Sequence, residues 1–272
     1  MAIRLRSQAW PTPDARSPAV SPREREENDL TSRKGINAYN FARRVAAYDA
    51  DMELMHPNRS KMVQSALDVM PFQSDERLKA LDLGIGTGYF TDRFLEAFPR
   101  SKVHGIDGAE AMVELAKERL GDRRKNVDFR VGDFRDLGKL FTGVGGMDVV
   151  YSSYALHHLT RDEKMSAVRD AVSLLRPGGW LINADIVAAD TSGVKKRIQD
   201  IRIGGIVERA RGVDPRFVDH ESTRRFLDEL EAKEGDQPLT LRDDLGVMRD
   251  AGLHDVAVFW LEYREAVIGG WK

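Results

Sequence analysis

Short apolar runs alternate with amphipathic stretches through the middle of the chain. Residues 78–83 predict a buried strand, and residues 89–98 have the apolar spacing of an amphipathic helix. The alternation continues, with strands predicted at 102–107, 127–131, 147–152 and 180–187 and helices at 109–120 and 161–175. Repeated βα units of this kind predict an α/β fold, in which helices cover both faces of a doubly wound, mostly parallel sheet.

Two helical regions interrupt the alternation. Residues 31–70 precede the first strand and have helical apolar spacing, with Ser60 predicted to cap their second helix. Residues 188–238 follow the fifth strand and are predicted as a helical insertion. The chain closes with a helix at 241–252 and strands at 255–261 and 264–268, so the sheet is predicted to have seven strands.

The composition narrows the class of protein. The 272 residues carry 42 Lys and Arg against 44 Asp and Glu, a near balance that gives no reason to expect nucleic acid or a membrane as partner. Cysteine is absent, which excludes disulfides and thiolate metal sites, and no metal site is predicted. No apolar run approaches the ~20 residues of a membrane span. Residues 1–30 are predicted as a disordered tail, and residues 31–272 as one large domain of a cytoplasmic protein.

A glycine-rich turn, written Asp82-Leu-Gly84-Ile-Gly86-Thr-Gly88, follows the first strand. Glycines between a strand and a helix bring backbone N–H groups close to a ligand. The spacing is G-x-G-x-G, unlike the G-x-G-x-x-G of dinucleotide sites, and Asp82 would repel a pyrophosphate. Asp82 suits a ligand that carries a cation, such as an amino group. The turn resembles the first motif of class I S-adenosylmethionine (SAM) methyltransferases.

Further stretches within residues 37–272 carry the same resemblance. Gly132-Asp133-Phe134 resembles the third motif of that family, and the sequences A-L-H-H-L at 155–159 and L-x-P-G-G at 175–179 also recur in it. The resemblance implies a class I methyltransferase sheet with an antiparallel last strand and SAM as cofactor. It also implies an enzyme that transfers a methyl group to a small-molecule acceptor by in-line displacement. The sequence leaves the oligomeric state open.

The cofactor is expected at the carboxyl ends of the strands, where ligands of such sheets bind. Asp107 ends the second strand, where it would accept the ribose hydroxyls, or would cap the next helix. The resemblance implies that Asp133 accepts the adenine amino group and that the Phe134 N–H binds a ring nitrogen; the alternative for Asp133 is a turn residue. Met112 would lie along the adenine or belong to the core. Ser153 would help to hold the methionine portion, together with Asp82 and the three glycines.

The two helical regions are predicted to enclose the site. The pair Tyr48-Asp49 resembles one in an N-terminal segment that covers the cofactor in related methyltransferases, so residues 31–70 are predicted as a lid. The alternative is that these helices only cover a sheet edge. Arg59 is a further candidate for cofactor contact. Residues 188–238 are predicted as a substrate cap, with a solvated helical insertion as the alternative.

His157 is the candidate catalytic residue. It follows the fourth strand, where the reactive end of the cofactor is expected, and a neutral imidazole there could take a proton from a hydroxyl acceptor. The alternative is structural, with one of His157 and His158 packed against the next helix and the other exposed. The motif Asn/Asp-Pro-Pro-Tyr/Phe, carried at this place by enzymes that methylate amines of nucleic acids, is absent.

Three other functions remain open. An NAD-dependent oxidoreductase would share Asp107 but is disfavoured by Asp82 and by the glycine spacing. Residues 56–59 and 209–212 resemble parts of carboxy-SAM synthase, which modifies the cofactor itself; Arg59 and Arg209 would then pair with the added carboxylate. The third is a non-catalytic SAM-binding module.

Overall fold

The computed structural model describes Tyr39 and residues 42–272, without the side chains of 42–46. The predicted disordered tail at 1–30 lies outside the described residues. In chain order the elements are α1 (Ala42–Met55), α2 (Arg59–Asp68), β1 (Lys79–Leu83), α3 (Tyr89–Ala97), β2 (Lys102–Asp107), α4 (Glu110–Leu120), β3 (Val127–Val131), α5 (Leu137–Leu140), β4 (Met147–Ser153), α6 (Arg161–Leu174), β5 (Leu175–Ile186), α7 (Ser192–Ala210), α8 (His220–Glu234), α9 (Leu241–Asp250), β6 (His254–Glu262) and β7 (Glu265–Trp271). Short 3₁₀ turns lie at Gly121–Asn126, Phe134–Asp136 and Leu156–His158.

The seven strands form one sheet in the order β3-β2-β1-β4-β5-β7-β6. Strands β1 to β5 pair in parallel, and β7 runs antiparallel to both β5 and β6. The predicted seven-stranded, mostly parallel sheet with an antiparallel last strand is therefore confirmed. The strand order reverses between β1 and β4, so the chain turns to opposite sides where these two strands end, and a crevice opens there.

Strand β1 alternates between two apolar layers. Leu81 and Leu83 face the layer that contains α6 and α9, while Ala80 faces the layer that contains α2 and α3. In the second layer the rings of Phe94 and Tyr151 pack with their centroids 5.0 Å apart. Burial on both faces explains why the central strands appear in the sequence as nearly continuous apolar runs.

A third apolar cluster joins the two helical regions. Met55 of α1 packs with Ile203 and Ile206 of α7 and with Leu227 of α8. The N-terminal helix α1 therefore packs on the insertion after β5, while α2 packs on the sheet. Within the described part of the chain, no helix combines the length and apolarity needed to cross a membrane.

Two local predictions differ from the structure. Helix α2 begins at Arg59 with Asn58 as its N-cap residue, so Ser60 lies inside the helix and the predicted cap is wrong. Strand β5 begins at Leu175, which pairs with Met147, and not at residue 180 where the sequence predicts its start. Gly178 there has a φ of 74°, and a register shift in β4 accommodates the irregularity.

Candidate functional site

Positive φ angles at three glycines shape the turn after β1. The φ angles of Gly84, Gly86 and Gly88 are 77°, 53° and 76°, in the left-handed region that favours glycine. A Cβ added to Gly84 would lie only 2.5 Å from the Cβ of Ala155. A Cβ added to Gly86 would meet nothing closer than 3.9 Å, so open space lies beside that residue. The turn therefore presents bare backbone.

A cavity of about 860 Å³, counted with its open mouth, lies beside this turn. Nine of the twelve predicted site residues line the cavity: Tyr48, Arg59, Gly84, Gly86, Asp107, Met112, Asp133, Phe134 and Ser153. Three do not line it. Gly88 is the N-cap residue of α3, and a Cβ there would lie 3.1 Å from Ala116. Asp82 is buried, and His157 lines a neighbouring cavity.

Asp82 is buried at the end of β1, with 1% of its surface exposed. Its Oδ2 accepts a hydrogen bond from Thr91 Oγ1 at 2.6 Å, while its Oδ1 has no hydrogen-bond partner among the described residues. Burial raises the pKa of Asp82 to about 7, and the nearby Asp107 acts in the same direction. A buried carboxyl with one unpaired oxygen fits a ligand that brings a cation, as SAM does.

Asp107 joins the glycine turn to the start of α4. Its Oδ2 accepts from the N–H of Gly86 at 2.8 Å, and its Oδ1 accepts from the N–H of Ala109 at 2.9 Å. Burial raises the pKa of Asp107, against the lowering effect of these two N–H groups. Each carboxylate oxygen can accept a further hydrogen bond, and Asp107 lines the cavity. The local structural role and the predicted ribose contact are therefore compatible.

Asp133 has a different environment from the one predicted. Both of its oxygens are paired with the guanidinium of Arg135, which also contacts Glu163 at 3.2 Å. Arg135 lines the cavity too, and the predictions from sequence missed it. The predicted contact between Asp133 and the adenine amino group would have to share the carboxylate with Arg135. Phe134, between them, presents its ring to the cavity.

Met112 and Ser153 line other parts of the cavity. Met112 is 2% exposed and packs with Ala109, yet it also lines the cavity, so the core role and the predicted adenine contact are compatible. Ser153 is the last residue of β4 and is half-buried. The next residue, Tyr154, has a φ of 48°, and its hydroxyl donates to Glu265 at 2.9 Å. Non-glycine residues with such φ angles concentrate at functional sites.

Asp49 ties helix α1 to the glycine turn. Its carboxylate accepts from Arg59 Nη1 at 2.8 Å and from Thr87 Oγ1 at 3.0 Å, and it also pairs with Arg119 of α4. Burial alone would raise the pKa of Asp49, but the two arginines and Thr87 lower it. The guanidinium of Arg59 lies 4.0 Å from the ring centroid of Tyr89. These contacts close one side of the cavity, where the sequence predicts a lid.

His157 is held between two carboxylates. Its Nδ1 lies 2.6 Å from Asp185 Oδ1, its backbone N–H donates to Asp185 Oδ2, and its Nε2 lies 3.5 Å from Asp236 Oδ1. Burial alone would lower the pKa of His157, but Asp185 and Asp236 raise it to about 10. A protonated imidazole has no lone pair with which to accept a proton. The geometry therefore disfavours the predicted role of His157 as a base.

His158, not His157, lines the main cavity. Its Nε2 lies 3.5 Å from the hydroxyl of Tyr39, and its Nδ1 lies 3.3 Å from Asp236 Oδ1. A second cavity of about 420 Å³ lies between α1 and the insertion helices, and both His157 and Asp236 line it. The two histidines therefore stand where the two cavities adjoin.

Sequence reasoning missed several of these residues for different reasons. The sequence did mark Asp185, since it is the only charged residue in the apolar run 180–187. Nothing in the sequence marked Asp236, because it follows a highly charged helix and one more acidic residue does not stand out there. Arg209, predicted as a partner for a carboxylated cofactor, donates to the backbone oxygen of Leu54 at 2.6 and 2.9 Å and does not line the main cavity.

Comparison with known proteins gives a family for the central part of the chain. Residues 80–179 match a family described as a methyltransferase domain. The chain is 33% identical over 137 residues to an uncharacterized methyltransferase of Bacillus cereus. That match covers 50% of this chain and 60% of the relative, so the chain spans about three fifths of the length of that curated relative.

Solved structures give the same fold. An O-methyltransferase family protein from Burkholderia thailandensis superposes with a TM-score of 0.61 at 19% identity, over 93% of this chain and 63% of that one. Phosphoethanolamine N-methyltransferase 2 of Haemonchus contortus, solved with phosphomonomethylethanolamine and S-adenosylhomocysteine, superposes with a TM-score of 0.58 at 14% identity. That superposition covers 84% of this chain and 46% of that one.

The sheet topology and the matched region define the fold class. The chain has the fold of the class I SAM-dependent methyltransferases, and the resemblance predicted from its sequence is confirmed. Residues 80–179, which match the methyltransferase domain, span β1 to the first part of β5 and so contain the parallel strands of that fold.

Proposed function

We propose that this chain is an enzyme that transfers the methyl group of SAM to a small-molecule acceptor. The observation that carries the proposal is the cavity in which the bare glycine turn meets Asp107 and Met112, at the carboxyl ends of parallel strands. Ligands of open α/β sheets bind at this edge. The match of residues 80–179 to a methyltransferase domain supports the same activity.

The residues that line the cavity, together with Asp82 buried behind them, suit the parts of SAM in turn. Asp107 would accept the ribose hydroxyls, and Met112 and Phe134 would contact the adenine. The unpaired oxygen of Asp82 would offset the charge of the amino group. When bound, SAM supplies an electrophilic methyl group on its sulfonium, which a nucleophile displaces.

The contribution of the protein to the rate would be orientation and enclosure. Asp49 holds α1 against the glycine turn through Arg59, Thr87 and Arg119. Helix α1 would therefore cover the methyl donor and the acceptor in a fixed position. Holding two reactants in a reactive geometry can contribute ~7–11 kcal/mol. Residues 31–70 would thus act as the lid, and residues 188–238 as the cap over the acceptor.

The acceptor would enter from the side of the second cavity. Arg202, Arg264 and Glu231 line that cavity, which is of a size for a small molecule. A fold neighbour solved with phosphomonomethylethanolamine supports an acceptor of this size class. His158 would be the imidazole closest to the transferred group, because it lines the main cavity and His157 does not.

Titration calorimetry of the full chain tests the cofactor. SAM and S-adenosylhomocysteine are expected to bind at one site with micromolar affinity, whereas NAD is expected not to bind. Binding of NAD without SAM would overturn the proposal and the account of Asp82. Formation of S-adenosylhomocysteine with a panel of small hydroxyl and amine acceptors then tests transfer. SAM binding without turnover on any acceptor of the panel would favour a non-catalytic binding module.

A further inference from the structure

We propose that His157, His158 and Asp236 bind a divalent first-row transition-metal ion such as Zn²⁺ where the two cavities adjoin. One nitrogen from each histidine and one carboxylate oxygen of Asp236 lie within 4.8 Å of one another. Neutral imidazole and carboxylate are ligands of Zn²⁺ and of its first-row neighbours, and an ion that binds here would displace the proton of His157 Nε2 to solvent. The binding of the ion does not depend on the proposed methyl transfer.

The spacing of the three side chains fits ligands of one ion better than partners in hydrogen bonds. Asp236 Oδ1 lies 3.5 Å from His157 Nε2 and 3.3 Å from His158 Nδ1. A charge-assisted N–H···O bond has a length of roughly 2.7–2.9 Å, so both separations are long for one. Ligand atoms that sit ~2.0–2.2 Å from a tetrahedral ion lie roughly 3.3–3.6 Å apart.

Two of the three ligand atoms are buried without a hydrogen bond. Among the residues described, neither His158 Nδ1 nor Asp236 Oδ1 has a hydrogen-bond partner. Their side chains are 18% and 10% exposed, so water does not fully replace the missing partners. Buried polar atoms of this kind are costly unless something coordinates them. A metal ion between them would satisfy both atoms at once.

Asp185 holds His157 in the orientation that a metal site requires. Its Oδ1 lies 2.6 Å from His157 Nδ1, which leaves Nε2 directed to Asp236. Metal-binding histidines usually donate their other N–H to such a carboxylate. The N–H of Gln237 also donates to the backbone oxygen of His157 at 2.8 Å, which fixes the segment that carries Asp236.

Three protein ligands leave a position of the ion for a further group. His158 lines the main cavity, so that position would be accessible from the place of methyl transfer. This consequence rests on the proposed function: the acceptor would carry an ionisable oxygen, such as a hydroxyl, whose pKa a bound cation lowers. His158 would then act as a ligand and not as a base.

Titration of the chelator-treated full chain with Zn²⁺, and separately with Mn²⁺, tests the site. One ion per chain is expected for at least one of the two metals, with affinity at least tenfold weaker in Asp236→Asn and in His158→Gln. The Asp185→Asn variant should bind ten- to a hundredfold more weakly, because Asp185 positions a ligand without being one. His220→Ala is the matched control, since His220 is exposed beside Asp200 and should leave the affinity unchanged.

Binding of neither metal to the wild type, or equal binding to Asp236→Asn and the wild type, would overturn the proposal. Circular dichroism of each variant shows whether weaker metal binding reflects loss of a ligand or loss of the fold. If Asp236→Asn unfolds, His158→Gln provides the test at a less buried residue. SAM titrated into the metal-free chain distinguishes the two proposals. SAM binding without metal binding would remove only the metal site, and metal binding without SAM binding would remove only the proposed function.

Discussion

The cofactor half and the acceptor half of the candidate site are built in different ways. The cofactor half comes from consecutive βα turns, the glycine turn after β1 and the strand ends at Asp107 and Asp133, all within about 50 residues of chain. The acceptor half brings together His157 from the 3₁₀ turn after β4, Asp185 from β5 and Asp236 from the loop after α8. Backbone geometry fixes the first half, and contacts between charged side chains fix the second.

This difference decides how each half responds to substitution. The cofactor half depends on φ angles and on N–H groups that any parallel strand end presents, so its residues recur as short motifs. The acceptor half depends on pairs of charges whose partners lie far apart in the sequence. Substitutions in the first half should therefore affect folding and cofactor binding, while those in the second should affect ion or acceptor binding.

The largest effect is expected at Gly84. The Gly84→Ala variant should lose about 4 kcal/mol of unfolding free energy, because an L-residue is strained at a φ of 77° and its Cβ would lie 2.5 Å from that of Ala155. Urea unfolding measures the change. The matched control is Gly204→Ala in α7, where a Cβ meets nothing within 4 Å and a gain of about 0.5–1 kcal/mol is expected. Equal stability of Gly84→Ala and Gly204→Ala would contradict the view that the conformation of the turn requires glycine at position 84.

Asp82 should make stability depend on pH in the unliganded protein. Its pKa in the folded protein, about 7, lies above the ordinary 3.8, so its contribution is fully present below pH 3.8 and is lost as the pH rises through 7. The free energy of unfolding of the wild type should therefore fall by an amount on the order of 3 kcal/mol between pH 4 and 7, relative to that of Asp82→Asn, which lacks this decline. Unfolding across that range measures it, with exposed Asp75→Asn as the control. Parallel curves for the wild type and Asp82→Asn would show that folding does not raise the pKa of Asp82.

Asp107 should affect the cofactor more than the fold. SAM affinity is expected to fall at least tenfold, ~1.4 kcal/mol, in Asp107→Ala if the carboxylate binds the ribose. Because Asp107 also accepts from Gly86 and Ala109, the variant Asp107→Asn, which keeps one acceptor oxygen, separates ribose binding from anchoring of the turn. Unchanged affinity in both variants would remove Asp107 from the cofactor site.

Much of the fold could be predicted from the sequence because its signals are local. Apolar runs marked the buried strands, and the turn from Asp82 to Gly88 marked the strand–helix junction. The errors were also local. Ser60 is a good capping residue, yet α2 starts one residue earlier at Arg59, and β5 continues through the Pro-Gly-Gly sequence because Leu175 pairs with Met147.

The candidate site could be predicted only in its cofactor half. Side chains at strand ends such as Asp107 and Ser153 have positions set by the strands themselves, and they line the cavity. The environment of a side chain depends on its partners, and many of these are distant in the sequence. His157 therefore resembled a neutral base until the structure showed Asp185 and Asp236 beside it. The partner of Asp133 is Arg135, only two residues away, but the sequence does not show that these two side chains face each other.

The smallest effects are expected at two arginines that lie outside the glycine turn and outside the strand ends. In Arg59→Ala, SAM affinity should fall about threefold, roughly 0.6 kcal/mol, because the cavity wall loses one side chain and Asp49 above the glycine turn loses one of its two arginine partners. Arg209→Ala should leave SAM affinity within about twofold, since its guanidinium donates to the backbone of Leu54. Calorimetric titration measures both. A tenfold loss in Arg209→Ala would extend the cofactor half into α7, and the division between a backbone-built half and a side-chain-built half would no longer hold.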